Sequence, residues 1–302
     1  TDPWHVVEKS GRLYGRGTCD MKGFDAIALA AVPFALERGL KRPLQIALSR
    51  DEEIGCLGAP GMIDEMLGVV PKARAAIIGE PSMMQTVTGH KGGTGFRTHV
   101  RGFEVHSSLI HTGVSAVMFA AKLIEWANEM NAANAAKTPN AIDATFVPPY
   151  TTVHVGTISG GTASNITAKD CFFDLNFRCV PGESLEDWNA AYRAKVAQIE
   201  AEMRVIHPDA GIDLDRYFIL PGLQPESDGR AEGIARAITG DNGTHVVSYG
   251  TEAGQFQERG FSAVICGPGN IEQAHQPNEY ISIDQFHAGE NFVHQVVDLL
   301  TE

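Results

Sequence analysis

Gly15-Arg16-Gly17-Thr18-Cys19-Asp20-Met21-Lys22-Gly23 places one acid in a glycine-rich turn, directly before a segment whose apolar residues (Ile27, Ala30, Phe34, Ala35) have helical spacing. That segment closes on Gly39, a natural C-cap, and Pro33 predicts a kink in it. Three more polar sites stand downstream: Asp51-Glu52-Glu53, Gly79-Glu80-Pro81-Ser82 and Ala274-His275-Gln276-Pro277. Each follows or ends a short apolar or β-branched run, at residues 44–48, 75–78 and 261–266. The acids therefore fall where strands run out into loops, which is where open α/β sheets place their ligand sites. One Asp, two Glu and one His converging on a cleft would suit zinc, which takes carboxylate oxygen and imidazole nitrogen.

Each site has a simpler reading when taken alone. Asp20 between glycines is a turn residue, a paired Glu is a solvated face or a first helical turn, and His275 beside Gln and Pro is a loop histidine. Their order changes the weighting. Asp51-Glu52-Glu53 comes about thirty residues after the first motif, Gly79-Glu80-Pro81-Ser82 about thirty later, and a distant His-x-Pro completes four sites in register.

The chain has 302 residues, 43% hydrophobic and 20% charged, enough for a large core in one or two domains. A net charge of -13 without a basic stripe excludes nucleic acid and an anionic membrane surface as partners. Five cysteines (Cys19, Cys56, Cys171, Cys179, Cys266), odd in number and without Cys-x-x-Cys spacing, point to neither a disulfide framework nor a thiolate zinc knuckle, and so to a reducing cytoplasm. No run approaches the roughly 18 apolar residues of a membrane span, and a signal peptide is not expected.

The run at 44–48 reads as a buried strand ending at Asp51, residues 58–67 as a helix, and 75–78 as a strand that delivers Glu80. From Thr88 the texture changes: an alternating strand through Phe96, Thr98 and Val100, an amphipathic helix over 113–130, a polar surface loop over 131–140, two alternating strands (153–158 and 171–178) and a helix over 185–203. This is an α+β insert of about 120 residues. After Pro221-Gly222 the α/β texture returns, with helices at 228–238, 252–258 and 283–300 and strands at 246–248 and 262–266. The expected fold is an α/β catalytic domain, a mixed sheet flanked by helices, split into 1–89 and 214–302 by an inserted α+β domain at 90–213.

The four motifs resemble the zinc-dependent aminoacylase and carboxypeptidase G family, and within it the members that deacetylate N2-acetyl-L-ornithine. Residues 11–23 and 249–280, the latter with Gly-Thr-Glu-Ala-Gly-Gln-Phe-Gln and Ala-His-Gln-Pro-Asn-Glu-Tyr, carry the likeness most strongly. The resemblance implies two Zn2+ per complete protein, with Co2+ an alternative, bridged by Asp20, which is followed by a cis peptide bond. Glu53 and His275 would complete one metal. Glu80 would serve the other with a histidine of an upstream His-x-Asp motif, which the sequence beginning at Thr1 lacks. The chain is on that ground expected to be an N-terminally truncated form, and an inactive, non-enzymatic protein is the rival reading.

Neighbouring carboxylates of one loop do not readily ligate one ion, so with Glu53 on the metal Glu52 falls to the general base. By the same resemblance the insert is a lid that forms a homodimer contact. His106, in Val-His-Ser-Ser, is then the oxyanion donor, with His111 a weaker competitor and His90 and His99 structural. Arg178 would bind the substrate carboxylate through its guanidinium fork and Asn165 would be a polar lid contact. Gly250 and Thr251 would line the amide pocket, and Glu252 would attract a cationic side chain or serve as a helix-start acid. Cys19 beside the bridge lacks a neighbouring histidine base and is not expected to be a nucleophile. The implied reaction is removal of an N-acyl group from a small-molecule amino acid, N2-acetyl-L-ornithine in arginine biosynthesis. N-acyl-citrulline, N-succinyl-diaminopimelate, a general aminoacylase and a dipeptidase are alternatives within the same chemistry.

Overall fold

Ser10 and Gly11 both take positive φ (52° and 71°), the geometry of a two-residue hairpin turn between β1 (Val7–Lys9) and β2 (Arg12–Tyr14). The computed structural model describes residues 2–302, which divide into two compact units. The first comprises residues 2–90, 223–247 and 251–302, and the second 91–222 with 248–250.

In the first unit α1 (Lys22–Arg38) ends on Gly39 in the left-handed conformation, as its sequence predicts, and Pro33 lies inside the helix. Next come α2 (Ala59–Val69), β3 (Ala76–Pro81) and β4 (Val87–His90). In the second unit β5 (Gly92–Arg101) precedes α3 (Ala116–Ala135), β6 (Thr152–Gly160), β7 (Asp170–Cys179), α4 (Leu185–Ile206) and β8 (Gly211–Leu220). The first unit resumes with α5 (Arg230–Thr239), β9 (His245–Val247), α6 (Ala253–Glu258), β10 (Ala263–Gly267), β11 (Tyr280–Ser282) and α7 (Ile283–Leu299).

The first unit carries a mixed sheet in the order β3-β10-β4-β9, with β3 parallel to β10. All five residues of β10 are buried, because helices cover both faces. Ile265 packs with Ile63 and Phe256 from α2 and α6, while Val264, pointing the other way, packs with Ile27, Ala235 and Phe292 from α1, α5 and α7. A second, three-stranded sheet, β1-β2-β11, sets Tyr280 opposite Tyr14.

Residues 44–48 form no strand, contrary to expectation. A strand exists only by pairing, and no segment among the described residues pairs with them; they border a cavity of about 860 Å³ lined by Phe24, Ile78, Phe292 and Val293.

The second unit is one antiparallel sheet, β6-β7-β5-β8, under α3 and α4. Its core is aromatic: Trp126 stacks on Tyr192, Phe177 meets both edge to face, and Phe96 packs tilted against Tyr192. Two sequence expectations fail here. β8 pairs with β5 from Gly211 to Leu220, so the unit runs past 213 to Gly222. Residues 131–135, read as loop, extend α3 because their asparagines have work to do. Asn131 bonds both the N–H and the C=O of Val153 (2.8 and 2.7 Å), and Asn134 donates to the Thr151 carbonyl (2.8 Å).

Candidate metal centre

Asp20 leads into α1 from the loop after β2, and the Asp20–Met21 peptide is cis. Gly23 is required by close approach, since a Cβ there would lie 2.3 Å from the Thr18 carbonyl oxygen. Glu52 and Glu53 open a single 3-10 turn, Glu52–Ile54, entered through Asp51 (φ 60°) and left through Gly55 (φ 107°). Successive residues of a three-residue turn project roughly 120° apart, which separates these two acids. Glu53 points outward, whereas Glu52 turns half-inward and accepts the Cys56 thiol at 3.3 Å. Glu80 ends β3, buried at 6% exposure. His275 follows β10 by a short 3-10 turn and takes a left-handed φ of 57°, which turns its ring back.

These pieces converge. His275 Nε2 lies 3.0 Å from Asp20 Oδ2 and 3.0 Å from Glu53 Oε2, and ligand atoms of the three residues all fall within 4.8 Å of one another. Glu80 is close enough to share a hydrogen bond with Asp20. Burial, then the charges of Asp20, Glu52 and Glu252, hold the Glu80 carboxyl well above the usual carboxylate range. Asp20 is raised by burial and by Glu53, against the opposing pull of His275. Glu52 is raised chiefly by burial; the Cys56 thiol pulls it down, and the charges of Glu53, Glu252 and Asp20 push it up. Four acids crowded in this way are what a divalent cation relieves, and two carboxylate oxygens with one imidazole nitrogen form a fitting donor set. Burial, with the Glu279 charge next, pushes the Cys19 thiol up to about 12, which removes it as a thiolate nucleophile.

Glu252 also belongs to the first unit. It precedes α6, accepts a hydrogen bond from Ser49, and is raised by burial. Thr251 is buried, and its hydroxyl accepts the Ala253 N–H at 3.1 Å.

The remaining candidates lie in the second unit. His106 is exposed; its Nδ1 accepts the Ser108 N–H at 3.2 Å and lies 2.9 Å from the Ser108 hydroxyl. Asn165, 59 positions away in the chain, sits beside it: the Ser107 N–H donates to the Asn165 carbonyl (2.8 Å), and His106 bridges Ile166. Arg178 is exposed on β7 opposite Gly93 and Thr152, and it forms no ion pair among the described residues. His111 is exposed at the end of a 3-10 turn. His99 Nε2 lies 2.7 Å from Asp170 and its ring stacks on Phe172, while His90, in the first unit, is fully buried and accepts the Gly254 N–H.

Residues 1–299 match the family model described as peptidase family M20/M25/M40. The chain belongs to this family. The M20/M25/M40 peptidases are hydrolases, generally metal-dependent, and curated relatives include the acetylornithine deacetylase of Myxococcus xanthus, 35% identical over 291 residues, which cover 94% of this chain and 71% of that protein. The acetylornithine deacetylase of Pasteurella multocida is 31% identical over 289 residues, again 94% and 71%. Among solved M20-type structures, the fold matches a metallo-carboxypeptidase of Sulfolobus solfataricus (TM-score 0.75, 17% identity, 98% of this chain and 79% of that one). It also matches aminopeptidase PepT of Bacillus cereus (TM-score 0.73, 21% identity, 99% and 76%).

Sequence reasoning passed over Glu279, a buried acid whose carboxylate faces the loop that carries Asp20. Its only signal was an acid between Asn278 and Tyr280, four residues after His275.

Proposed function

We propose that this chain is a metal-dependent amidohydrolase that removes the N-acyl group of an acylated amino acid, with N2-acetyl-L-ornithine as its substrate. The observation that carries the reading is the meeting of Asp20, Glu53 and His275, brought within 4.8 Å from three distant parts of the chain, next to a half-buried Glu52. In this reading Asp20, Glu53 and His275 hold one divalent cation, Zn2+ or Co2+, and Asp20 with Glu80 serves a second. Such ions, when bound, acidify water and polarise a scissile carbonyl. Glu52 then accepts a proton from the attacking water on its carboxylate and passes it to the leaving amine. Its raised pKa suits both halves of that task.

His106 is the oxyanion donor in this reading. Because Nδ1 accepts the Ser108 N–H, the neutral ring carries its proton on Nε2 and offers it outward. The exposed Arg178 fork suits the substrate carboxylate, and Asn165 adds an amide contact. Gly250 and Thr251 are assigned to the amide pocket, and Glu252 to attracting the cationic side chain of ornithine. The second unit is also assigned a homodimer contact, through the free edge of β6 and the exposed Val117 and Met118 of α3.

The test is acetate release from N2-acetyl-L-ornithine by the chain reloaded with Zn2+ or Co2+, beside N-acetylcitrulline, N-succinyl-diaminopimelate and a dipeptide. Metal-dependent turnover with acetylornithine preferred is expected. Turnover favouring another of the four would move the substrate assignment, and none with any of them would overturn the reading.

A further inference from the structure

We propose that Glu279 is a positioning residue: its buried carboxylate is the anchor around which the loop 15–20 is wound, and it fixes where Asp20 stands relative to His275. The inference rests on the cation-site reading above. Glu279 is 3% exposed. Its Oε1 accepts three backbone N–H groups, from Gly17, Cys19 and Asp20, each at 3.0 Å. Its Oε2 accepts Arg16 Nη1 at 2.8 Å. The loop thus closes on one carboxylate as backbone amides close on an anion, and Gly17 takes a φ of 84° to turn its amide inward.

The same carboxylate stands on the strand side of His275. The Gly15 N–H donates to the Glu279 carbonyl at 3.0 Å, continuing the β2–β11 ladder in which Tyr280 faces Tyr14. Arg16 Nη2 reaches the Gln276 carbonyl at 3.5 Å, and the Cys19 thiol donates to the Asn270 carbonyl at 3.4 Å. Two loops some 260 residues apart in sequence are joined at Glu279, and one ends in Asp20 while the other begins at His275.

The geometry demands a carboxylate of this length. Glutamine has one acceptor oxygen, so its NH2 would face either the three amides or the Arg16 guanidinium. Aspartate keeps the charge but withdraws it by one methylene. Outer contacts that orient ligands of a metal typically change affinity by about 10–100-fold when removed.

The experiment compares the wild-type chain with Glu279→Gln and Glu279→Asp. Co2+ is titrated by its visible ligand-field spectrum, and amide hydrogen exchange at Gly17, Cys19 and Asp20 is followed by NMR in the metal-free protein. Glu279→Gln is expected to bind Co2+ about 10–100-fold more weakly, to give an altered spectrum at saturation, and to exchange those amides at least about tenfold faster. A saturated spectrum and affinity identical to wild type, with only the denaturation midpoint lowered, would overturn the proposal by leaving Glu279 a purely structural acid. If Glu279→Gln does not fold, Glu279→Asp decides on the same readouts, and an unchanged spectrum again overturns it. Should the wild-type chain itself bind no Co2+, the cation reading fails, and the exchange rates alone decide whether Glu279 holds the loop.

Discussion

Glu52 and Glu53 are chemically identical neighbours given different surroundings by one tight turn. Glu53 lies in solvent with its Oε2 3.0 Å from His275, whereas Glu52 sits half-buried against the Cys56 thiol. Glu52→Gln is therefore expected to lower kcat by about 10²–10⁴ while leaving cation content unchanged. Elemental analysis beside turnover checks this, and parallel loss of both would contradict the division of roles. Lys91 offers a test away from the site. It is 1% exposed, its Nζ donates to the carbonyls of Pro148 (2.7 Å) and Tyr150 (2.9 Å), and burial brings its pKa down to about 8 from 10.5. Between those values the unfolded chain binds the proton and the folded chain does not, so stability rises with pH across that window and gains nothing from this group below about pH 8. Against Lys91→Met, the wild type should gain on the order of 1–3 kcal/mol from pH 8 to 10.5 in denaturant titrations. A flat difference would mean that Lys91 keeps its ordinary pKa.

Among elements, the strands and helices that carry their own signals were legible. Helix α1 closes on Gly39 as expected, and β3 and β10 are apolar because both sheet faces are covered. The misreadings share one cause. Residues 44–48 have strand composition but no pairing partner among the described residues, and residues 131–135 have loop composition but two asparagines that serve β6. Asn131 supplies, with one side-chain amide, both bonds that a neighbouring strand would give Val153 at the free edge of β6. Asn131→Ala should cost about 1–2 kcal/mol in denaturant stability, with Asn134→Ala similar. A loss within about 0.3 kcal/mol at both positions would show that water serves that edge equally well. The alternation in Gly211–Leu220 was a readable strand signal that a boundary at 213 cut through.

At the scale of the whole molecule the net charge of -13 and the acids gathered at Asp20, Glu52, Glu53 and Glu80 oppose folding until a cation offsets them. A divalent ion at about 100 times its Kd adds roughly 2.7 kcal/mol, which for a protein of this size raises Tm by about 3–5 °C. Zn2+ or Co2+ should give that rise in the wild-type chain, while His275→Ala should show little of it; equal shifts in both would place the ion elsewhere. Among the described residues no helix is long and apolar enough to cross a membrane.

The sequence by itself determined what is local or carried by motif: most helices and strands, the glycine cap of α1, the placement of Glu80 at the end of β3 and the family. It also singled out Asp20, Glu53, Glu80 and His275 before any distance was known. Only the tertiary structure decided which atoms meet. His275, a residue with a left-handed φ of 57°, sets its Nε2 3.0 Å from both Asp20 and Glu53, which come from two other loops of the first unit. Glu279 acquires its place because the pairing of β2 with β11 lays it beside the loop 15–20. Contacts of that kind join residues some 260 positions apart, and no local propensity encodes them.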